Sequence, residues 1–127
     1  MREIKFRAWI KNEKRMDWVS IMQFIGLGRK TVILNNKGIA GGDYSFADIV
    51  LMQFTGLKDK GGKEIYEGDI LDNSSQTIKV CWDSIGGKWF GHYVDKKRTS
   101  SFWVGEEFKK YKVIGNIFEN SKLLKGV

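Results

Sequence analysis

Few side chains in this 127-residue sequence have the type and spacing that catalysis requires. His92 is the only histidine and Cys81 is the only cysteine. A nucleophilic site needs a base that a third group orients, and neither residue has a diagnostic local context. A structural zinc site takes four ligands, which this pair does not supply. We therefore expect both residues to be structural, and we predict no bound cofactor.

A pair of acidic residues is the next candidate for chemistry. On an extended strand Glu67 and Asp69 share a face, about 7 Å apart at two residues' rise, and paired carboxylates hold Mg²⁺ or transfer protons. The structural alternative makes Gly68-Asp69 a bend between two strand segments. We favour the bend and predict no catalytic residue. A metal-dependent enzyme that uses this pair is the minor alternative.

Basic residues interleaved with tryptophan form the third candidate, a surface that binds nucleic acid. The chain has 22 Lys and Arg against 15 Asp and Glu, and residues 1–63 hold 12 of the basic and 6 of the acidic residues. A single-stranded nucleic acid is bound by charge for its phosphates and flat rings for its bases. The candidate residues lie on the first predicted hairpin: Lys5, Arg7, Trp9, Lys11, Lys14 and Arg15.

The same basic residues have a second interpretation, which the sequence leaves open. Lysines on exposed strands also keep a sheet edge from pairing with other chains. Lysine outnumbers arginine 17 to 5, whereas specific base contacts favour arginine. Two glycine-rich segments, Gly26–Lys30 and Lys58–Lys63, lack the spacing of a phosphate-binding loop. We interpret the first as a turn and the second as a solvated hairpin tip.

The elements that position these residues are predicted from alternating apolar and polar residues. Arg2–Trp9 predicts a strand with one buried face, so that Lys5 and Arg7 lie on its outer face. The polar turn Lys11–Arg15 and a second strand, Met16–Met22, complete a hairpin. Two further strands are predicted in the first half, and Asp43 is a candidate helix cap. The strands are Lys30–Leu34 and Val50–Phe54.

The second half predicts a small barrel. Five short strands separated by tight turns suit an SH3-like or OB-like barrel, and they are Ile65–Leu71, Thr77–Trp82, Lys88–Val94, Phe102–Val104 and Tyr111–Phe118. One or two helical turns are expected, at Glu106–Tyr111 and Glu119–Leu124. The predicted fold is therefore mainly β. It has an N-terminal β-hairpin region at residues 1–57 and a small β-barrel region at residues 58–127, which could also form one integrated domain.

Composition excludes several classes of protein. The chain has no proline, which excludes a proline-rich ligand segment. Its single cysteine cannot form an internal disulfide, and this fits a reducing compartment. The first residues lack an apolar signal-peptide core, and the longest strongly apolar run is Ile49–Met52. We therefore predict a cytoplasmic protein without a membrane partner.

Four blocks of the sequence, taken together, resemble the YopX protein family of bacteriophages and prophages. They are Arg2–Trp9 with Lys14–Met16, Met52–Lys60, Gly62–Ile70 and Val113–Asn120. Three positions depart from the family pattern: Ile10 replaces a frequent acidic residue, Gly61 a frequent asparagine and Ser121 a frequent proline. Glycine and asparagine both suit a left-handed turn. The resemblance implies a mostly β protein of a bacterial host cell, with an uncharacterised role and no known site residues.

These observations together favour binding over catalysis. We expect a non-enzymatic accessory protein that binds a macromolecule, foremost as a homo-oligomeric interaction module. The reason is that exposed aromatic side chains such as Trp9 and Trp103 need cover. Nucleic-acid binding through the first hairpin is the alternative, and a phage or host protein is a further candidate partner.

Overall fold

The computed structural model describes residues 2–25, 29–35, 43–94, 101–103 and 106–124. Within these ranges the chain forms eleven strands and three short 3₁₀ turns, so the predicted mainly β class is confirmed. The chain divides into two compact units. The amino-terminal unit is Glu3–Gln53, and the carboxy-terminal unit begins at Phe54 and includes Arg2. The boundary predicted after residue 57 falls inside the fifth strand.

The amino-terminal unit is an antiparallel sheet with strand order β4-β3-β2-β1-β5. A turn at residues 11–14 joins β1 to β2 and confirms the predicted first hairpin. A 3₁₀ turn at Phe46–Asp48 precedes β5, and Ser45 caps it by accepting the Ala47 N–H, so Asp43 is not the cap. The strands are β1 (Phe6–Ile10), β2 (Arg15–Ile25), β3 (Arg29–Asn35), β4 (Asp43–Ser45) and β5 (Ile49–Lys58).

The core of this unit forms on one face of the sheet. Ala8, Ile10 and Ile49 are buried there, because β1 pairs with β5 in a register that puts Ile10 opposite Ile49. Half-buried side chains from β2, β4 and the 3₁₀ turn pack against them. Full burial of an isoleucine stabilises a fold by about 1.5–3 kcal/mol. The alternation in Arg2–Trp9 therefore predicts the core face of β1 correctly.

The carboxy-terminal unit contains an antiparallel sheet with strand order β10-β9-β8-β7-β11. In addition, β6 pairs with the end of β5 across an irregularity at Gly56, which has a φ of +86°. The remaining elements are β6 (Glu64–Tyr66), β7 (Asp69–Asp72), β8 (Thr77–Asp83), β9 (Lys88–Tyr93), β10 (Ser101–Trp103), a 3₁₀ turn (Glu106–Lys110), β11 (Lys112–Asn116) and a 3₁₀ turn (Ser121–Leu124).

The structure does not confirm the predicted barrel. In the part of the chain that is described, the five-stranded sheet is open, with β10 and β11 at its edges. The predicted strand Ile65–Leu71 is two strands, because a turn at Glu67-Gly68 interrupts it. Three helical turns replace the predicted one or two.

The core of the carboxy-terminal unit gathers residues from strands and from a 3₁₀ turn. Phe108 and Tyr111 pack with residues of β6, β7 and β8, and the buried cluster comprises Ile65, Leu71, Ile78, Val80, Phe108 and Tyr111. Phe108 is completely buried, which explains why the segment before β11 folds onto the sheet. No helix among the described residues is long and apolar enough to cross a membrane.

Candidate functional site

Arg7 does not lie on the outer face that the sequence predicts. Its side chain is 7% exposed, and its Nη2 donates a hydrogen bond to the Met52 sulfur at 3.8 Å. The neighbouring Ala8 is fully buried on the other face of the strand. β1 is an interior strand between β2 and β5, and both of its faces are covered at this point. The predicted exposure of Arg7 is therefore wrong.

Arg15 lies in a polar network on the core-side face. It pairs with Ile10 in the sheet register, and its Nη1 contacts Asp17 Oδ2 at 2.8 Å. Its Nε contacts Glu13 at 3.3 Å, and its Nη2 donates to the Tyr44 hydroxyl at 3.3 Å. The Tyr44 hydroxyl in turn donates to Glu13. One guanidinium thus faces two carboxylates, which neutralise its charge locally.

The pKa values of this network follow from its hydrogen bonds. The hydrogen bond from Tyr44 lowers the pKa of Glu13, and Arg15 adds to that effect against the opposing effect of burial. The same bond raises the pKa of Tyr44, because the hydroxyl proton is held by a carboxylate. The bond to Asp17 raises the pKa of Arg15 above its usual range. All three groups keep their ordinary charge states at neutral pH.

The other predicted hairpin residues do not converge on one site. Lys5 contacts Glu3 at 3.0 Å, and Lys11 donates to the carbonyl oxygen of Ala47 at 3.0 Å. Lys14 is exposed in the turn with a φ of 51°. Trp9 is half-buried on the face of β1 opposite Arg15. The structure thus divides the predicted nucleic-acid-binding residues between two faces, and their binding stays a prediction.

Trp18 and Ile21 form an apolar surface on β2. They are 51% and 49% exposed. The register between β2 and β3 shifts between Val19 and Ile21, and the core contacts on β2 come from Val19 and Met22, three residues apart. This bulge places Ile21 on the same side of the strand as Trp18, away from the core. The surface arises from an irregularity that simple alternation does not predict.

The acidic pair Glu67 and Asp69 belongs to a tight turn. Asp69 is 2% exposed, and its Oδ2 accepts the Tyr66 N–H at 2.8 Å. Gly68 has a φ of +85° and bonds through its N–H to the Val80 carbonyl at 2.9 Å. The strand is therefore interrupted as the structural interpretation expected, but the turn lies at Glu67-Gly68 rather than at Gly68-Asp69. The prediction that Glu67 and Asp69 share one strand face is wrong, because Glu67 lies in the turn and Asp69 begins β7.

Cys81 and His92 lie on adjacent strands of the carboxy-terminal sheet. Both are half-buried, and His92 is paired with Lys79 and Ser101 in the ladder. Burial raises the pKa of the Cys81 thiol, with Glu67 acting in the same direction and Lys79 against it. A thiol with a raised pKa is a poor nucleophile at neutral pH. Among the side chains that the structure describes, no three His, Cys, Asp or Glu residues group as metal ligands.

Asp59 organises the loop between β5 and β6. Its Oδ1 accepts the N–H groups of Gly61 and Lys63 at 2.8 Å, and its Oδ2 accepts the Val113 N–H of β11 at 2.9 Å. Burial raises the pKa of Asp59, but these three backbone donors outweigh it and lower the pKa overall. The left-handed residue of the loop is Gly62, with a φ of +88°, rather than Gly61. This carboxylate is structural.

The segment after β11 has the same kind of internal bonding. Asn116 Oδ1 accepts the N–H groups of Phe118 and Glu119, and Asn120 Oδ1 accepts the Asn116 N–H at 3.1 Å. A Cβ at Gly115 would lie 2.5–2.8 Å from the Asn120 side chain, so any larger residue at this position would require that side chain to move. Several residues of the sequence blocks 52–60, 62–70 and 113–120 thus serve to form turns.

The sequence interpretation missed a set of exposed lysines in the carboxy-terminal unit. Lys60 donates its backbone N–H to the carbonyl oxygen of Tyr111 at 2.9 Å, which joins the loop 58–63 to the segment 109–112. Each segment carries three exposed lysines: Lys58, Lys60, Lys63, Lys109, Lys110 and Lys112. No local pattern could reveal this set, because its halves lie far apart in sequence.

The distribution of charge between the units also differs from its distribution along the sequence. Glu3–Gln53 holds 8 basic and 5 acidic residues, and the rest of the chain holds 14 and 10. The excess of positive charge over residues 1–63 therefore belongs only in part to the first hairpin. Part of it lies in the loop 58–63, which is in the carboxy-terminal unit.

Comparisons with known proteins identify the family. Residues 5–125 match the family described as YopX protein. No curated protein matches the chain significantly. The crystal structure of protein EF1440 from Enterococcus faecalis is similar, with 26% sequence identity and a TM-score of 0.64, and the match covers 98% of this chain and 99% of that one. Because the family match spans nearly the whole sequence, this chain belongs to the YopX protein family.

Proposed function

We propose that this protein is a non-enzymatic accessory protein of a phage or prophage and that it acts as a homo-oligomeric interaction module in the bacterial cytoplasm. The observation that carries the proposal is the apolar surface of Trp18 and Ile21 on β2, where about half of each side chain is exposed. Tryptophan is enriched among the residues that dominate the binding energy of interfaces. Contiguous exposed apolar surface is typical of interaction sites.

The charge on this face supports a second copy of the chain as the partner. Two chains that each carry a net charge of +7 repel one another, so a contact between them requires a face with few exposed charges. The two cross-strand pairs Arg7–Trp18 and Trp9–Met16 lie on this face, and their one charged residue, Arg7, is buried. Arg15 lies on the opposite face. At these four positions a symmetric contact would therefore bury tryptophan without burying an exposed cation.

Light scattering coupled to size exclusion tests the proposal. The wild-type protein should elute with a mass that is a multiple of 14.6 kDa, and Trp18→Ser with Ile21→Ser should shift it toward the monomer. The matched control is Trp82→Ser with Ile85→Ser, which removes an exposed tryptophan and isoleucine from the β8–β9 hairpin and should leave the mass unchanged. A wild-type monomer at the highest soluble concentration would contradict self-association.

Nucleic-acid binding is the second candidate function. On the first hairpin only Lys11 and Lys14 of the six candidate residues are exposed, which weakens that site. The exposed lysines of the carboxy-terminal unit favour the function more strongly. A metal-dependent enzyme that uses Glu67 and Asp69 has the least support, because Asp69 already holds the Tyr66 amide.

A further inference from the structure

The exposed lysines of the carboxy-terminal unit form a surface that is independent of the self-association proposed above. We call it the lysine surface, and it consists of Lys58, Lys60, Lys63, Lys109, Lys110 and Lys112. Two hydrogen bonds donated by backbone N–H groups join its two segments, the loop 58–63 and the segment 109–112. Lys60 N–H donates to the Tyr111 carbonyl at 2.9 Å, and Val113 N–H donates to Asp59 Oδ2 at 2.9 Å. Lys60 therefore lies beside the residues that flank Tyr111.

The acidic side chains near the lysine surface are buried, half-buried or bonded to other groups of the protein. Asp59 is buried, and its carboxylate is occupied by three backbone N–H groups. Glu64 is half-buried opposite Lys58, and Asp72, opposite Lys112, accepts bonds from Ser74 and Thr77. Glu107 is exposed and contacts Lys110 at 3.4 Å. The outward side chains of the loop 58–63 are thus cationic.

We infer that the lysine surface binds the phosphate backbone of double-stranded nucleic acid. Lysine ammonium groups act as point charges for phosphate, and each phosphate that a lysine neutralises releases a condensed counterion. The aromatic residues of the two segments, Phe108 and Tyr111, are buried in the core. These segments therefore offer no exposed ring on which an unpaired base could stack, which favours a duplex over a single strand.

The loop 58–63 is preorganised for such a contact. Asp59 N–H donates to the Lys63 carbonyl at 2.7 Å, and Gly62 N–H donates to the Asp59 carbonyl at 3.0 Å. Within the loop, the N–H groups of Gly61 and Lys63 also donate hydrogen bonds to the Asp59 carboxylate. The backbone that carries Lys60 and Lys63 is therefore fixed before binding. Little backbone entropy is then lost when phosphate is bound. Recognition through phosphates alone is independent of base sequence.

Fluorescence anisotropy with a labelled duplex DNA tests this inference. The variant is Lys60→Ser/Lys63→Ser/Lys110→Ser, and the control is Lys5→Ser/Lys11→Ser/Lys14→Ser, which removes the same charge from the first hairpin. If six lysines each neutralise one phosphate, wild-type affinity should fall about 40-fold between about 50 and 100 mM salt. The variant should bind more weakly, and its affinity should fall only about sixfold over the same range of salt concentration. The control should keep the wild-type salt dependence.

Three outcomes would overturn the inference. The first is an absence of wild-type binding to the duplex at low salt. The second is an equal loss of affinity in the variant and the control, because that pattern reports net charge rather than a surface. The third is stronger binding to a single strand, to polyglutamate or to vesicles of anionic lipid than to the duplex. Circular dichroism melts of both triple variants check that they fold, which we expect because the substituted side chains lie outside the buried clusters.

Discussion

The first hairpin and the loop 58–63 are both rich in cations, but their acidic residues have opposite roles. In the hairpin, the exposed Glu13 and the buried Asp17 both contact Arg15, so acid and base neutralise each other. In the loop, Asp59 turns inward and binds backbone N–H groups, which leaves Lys60 and Lys63 exposed. A count of charges along the sequence therefore says little about which charges are available. Which charges are available depends on the group that each carboxylate binds.

The same difference separates the two units energetically. The Glu13–Arg15–Tyr44 network is partly exposed, and exposed ion pairs contribute little to stability. Asp59 is buried and satisfies donors from two segments of its unit, which makes its removal costly. We therefore expect substitutions in the carboxy-terminal turns to change stability far more than substitutions in the hairpin network.

The largest effect is expected for Asp59→Ala. The substitution leaves three backbone donors without their charged acceptor, and we expect a loss of about 3 kcal/mol or more in the free energy of unfolding. Urea titration should measure the loss, and hydrogen exchange should localise it to the loop 58–63 and to β11. Asp48→Ala, an exposed aspartate in the other unit, is the control. A change in Asp59→Ala no larger than in this control would contradict the comparison.

Acid titration sharpens the same prediction. The pKa of Asp59 is lower in the folded protein than in the unfolded chain, so its stabilisation is fully present above the unfolded pKa of about 3.9. This stabilisation is lost as the pH falls through the lowered folded pKa. The difference in stability between wild type and Asp59→Ala should therefore narrow below about pH 4. A difference that stays constant down to acid unfolding would show that the carboxylate charge is not involved.

An intermediate effect is expected for Gly115→Ala. The new methyl group would overlap the Asn120 side chain, which must move and release the Asn116 N–H. Overpacking of this kind costs about 1–3 kcal/mol, which differential scanning calorimetry can resolve. Gly61→Ala is the matched control, because a Cβ there meets Asp59 only at an ordinary 3.5 Å. Equal destabilisation by the two substitutions would argue against the steric explanation.

The smallest effect on stability is expected for Tyr44→Phe in the hairpin network. Removing the hydroxyl should raise the pKa of Glu13 toward its ordinary value, because Tyr44 is the main cause of the lowered pKa. Nuclear magnetic resonance titration of the Glu13 carboxyl group measures this shift. Tyr93→Phe, in the other unit, should leave it unchanged. A large loss of stability in Tyr44→Phe would mean that the hairpin network is as important as the carboxy-terminal turns.

Several features of the fold were predictable because they depend on neighbours in sequence. Alternation identified most of the strands and the core face of β1, although it missed β4 and joined β6 to β7. The left-handed Gly62 and Gly68 lie where a hairpin tip and a bend were predicted. The four sequence blocks led to the correct family. Strand lengths could not predict whether the second sheet is open or closed, since closure into a barrel depends on pairing between strands that are distant in sequence. The prediction that Arg7 is exposed failed for a related reason, because alternation does not show whether both faces of an interior strand are covered.

The sequence by itself determined the class of this protein, its hairpins and its family, since each follows from residue types at short spacing. Only the tertiary structure decided which of its charges reach solvent. Arg7 is buried, Arg15 is neutralised, and hydrogen bonds to Tyr111 and from Val113 join the loop 58–63 to the segment 109–112. Hydrogen bonds and burial depend on which residues are close in space, not on which are close in sequence. A surface assembled from segments some 50 residues apart is therefore visible only after the chain has folded.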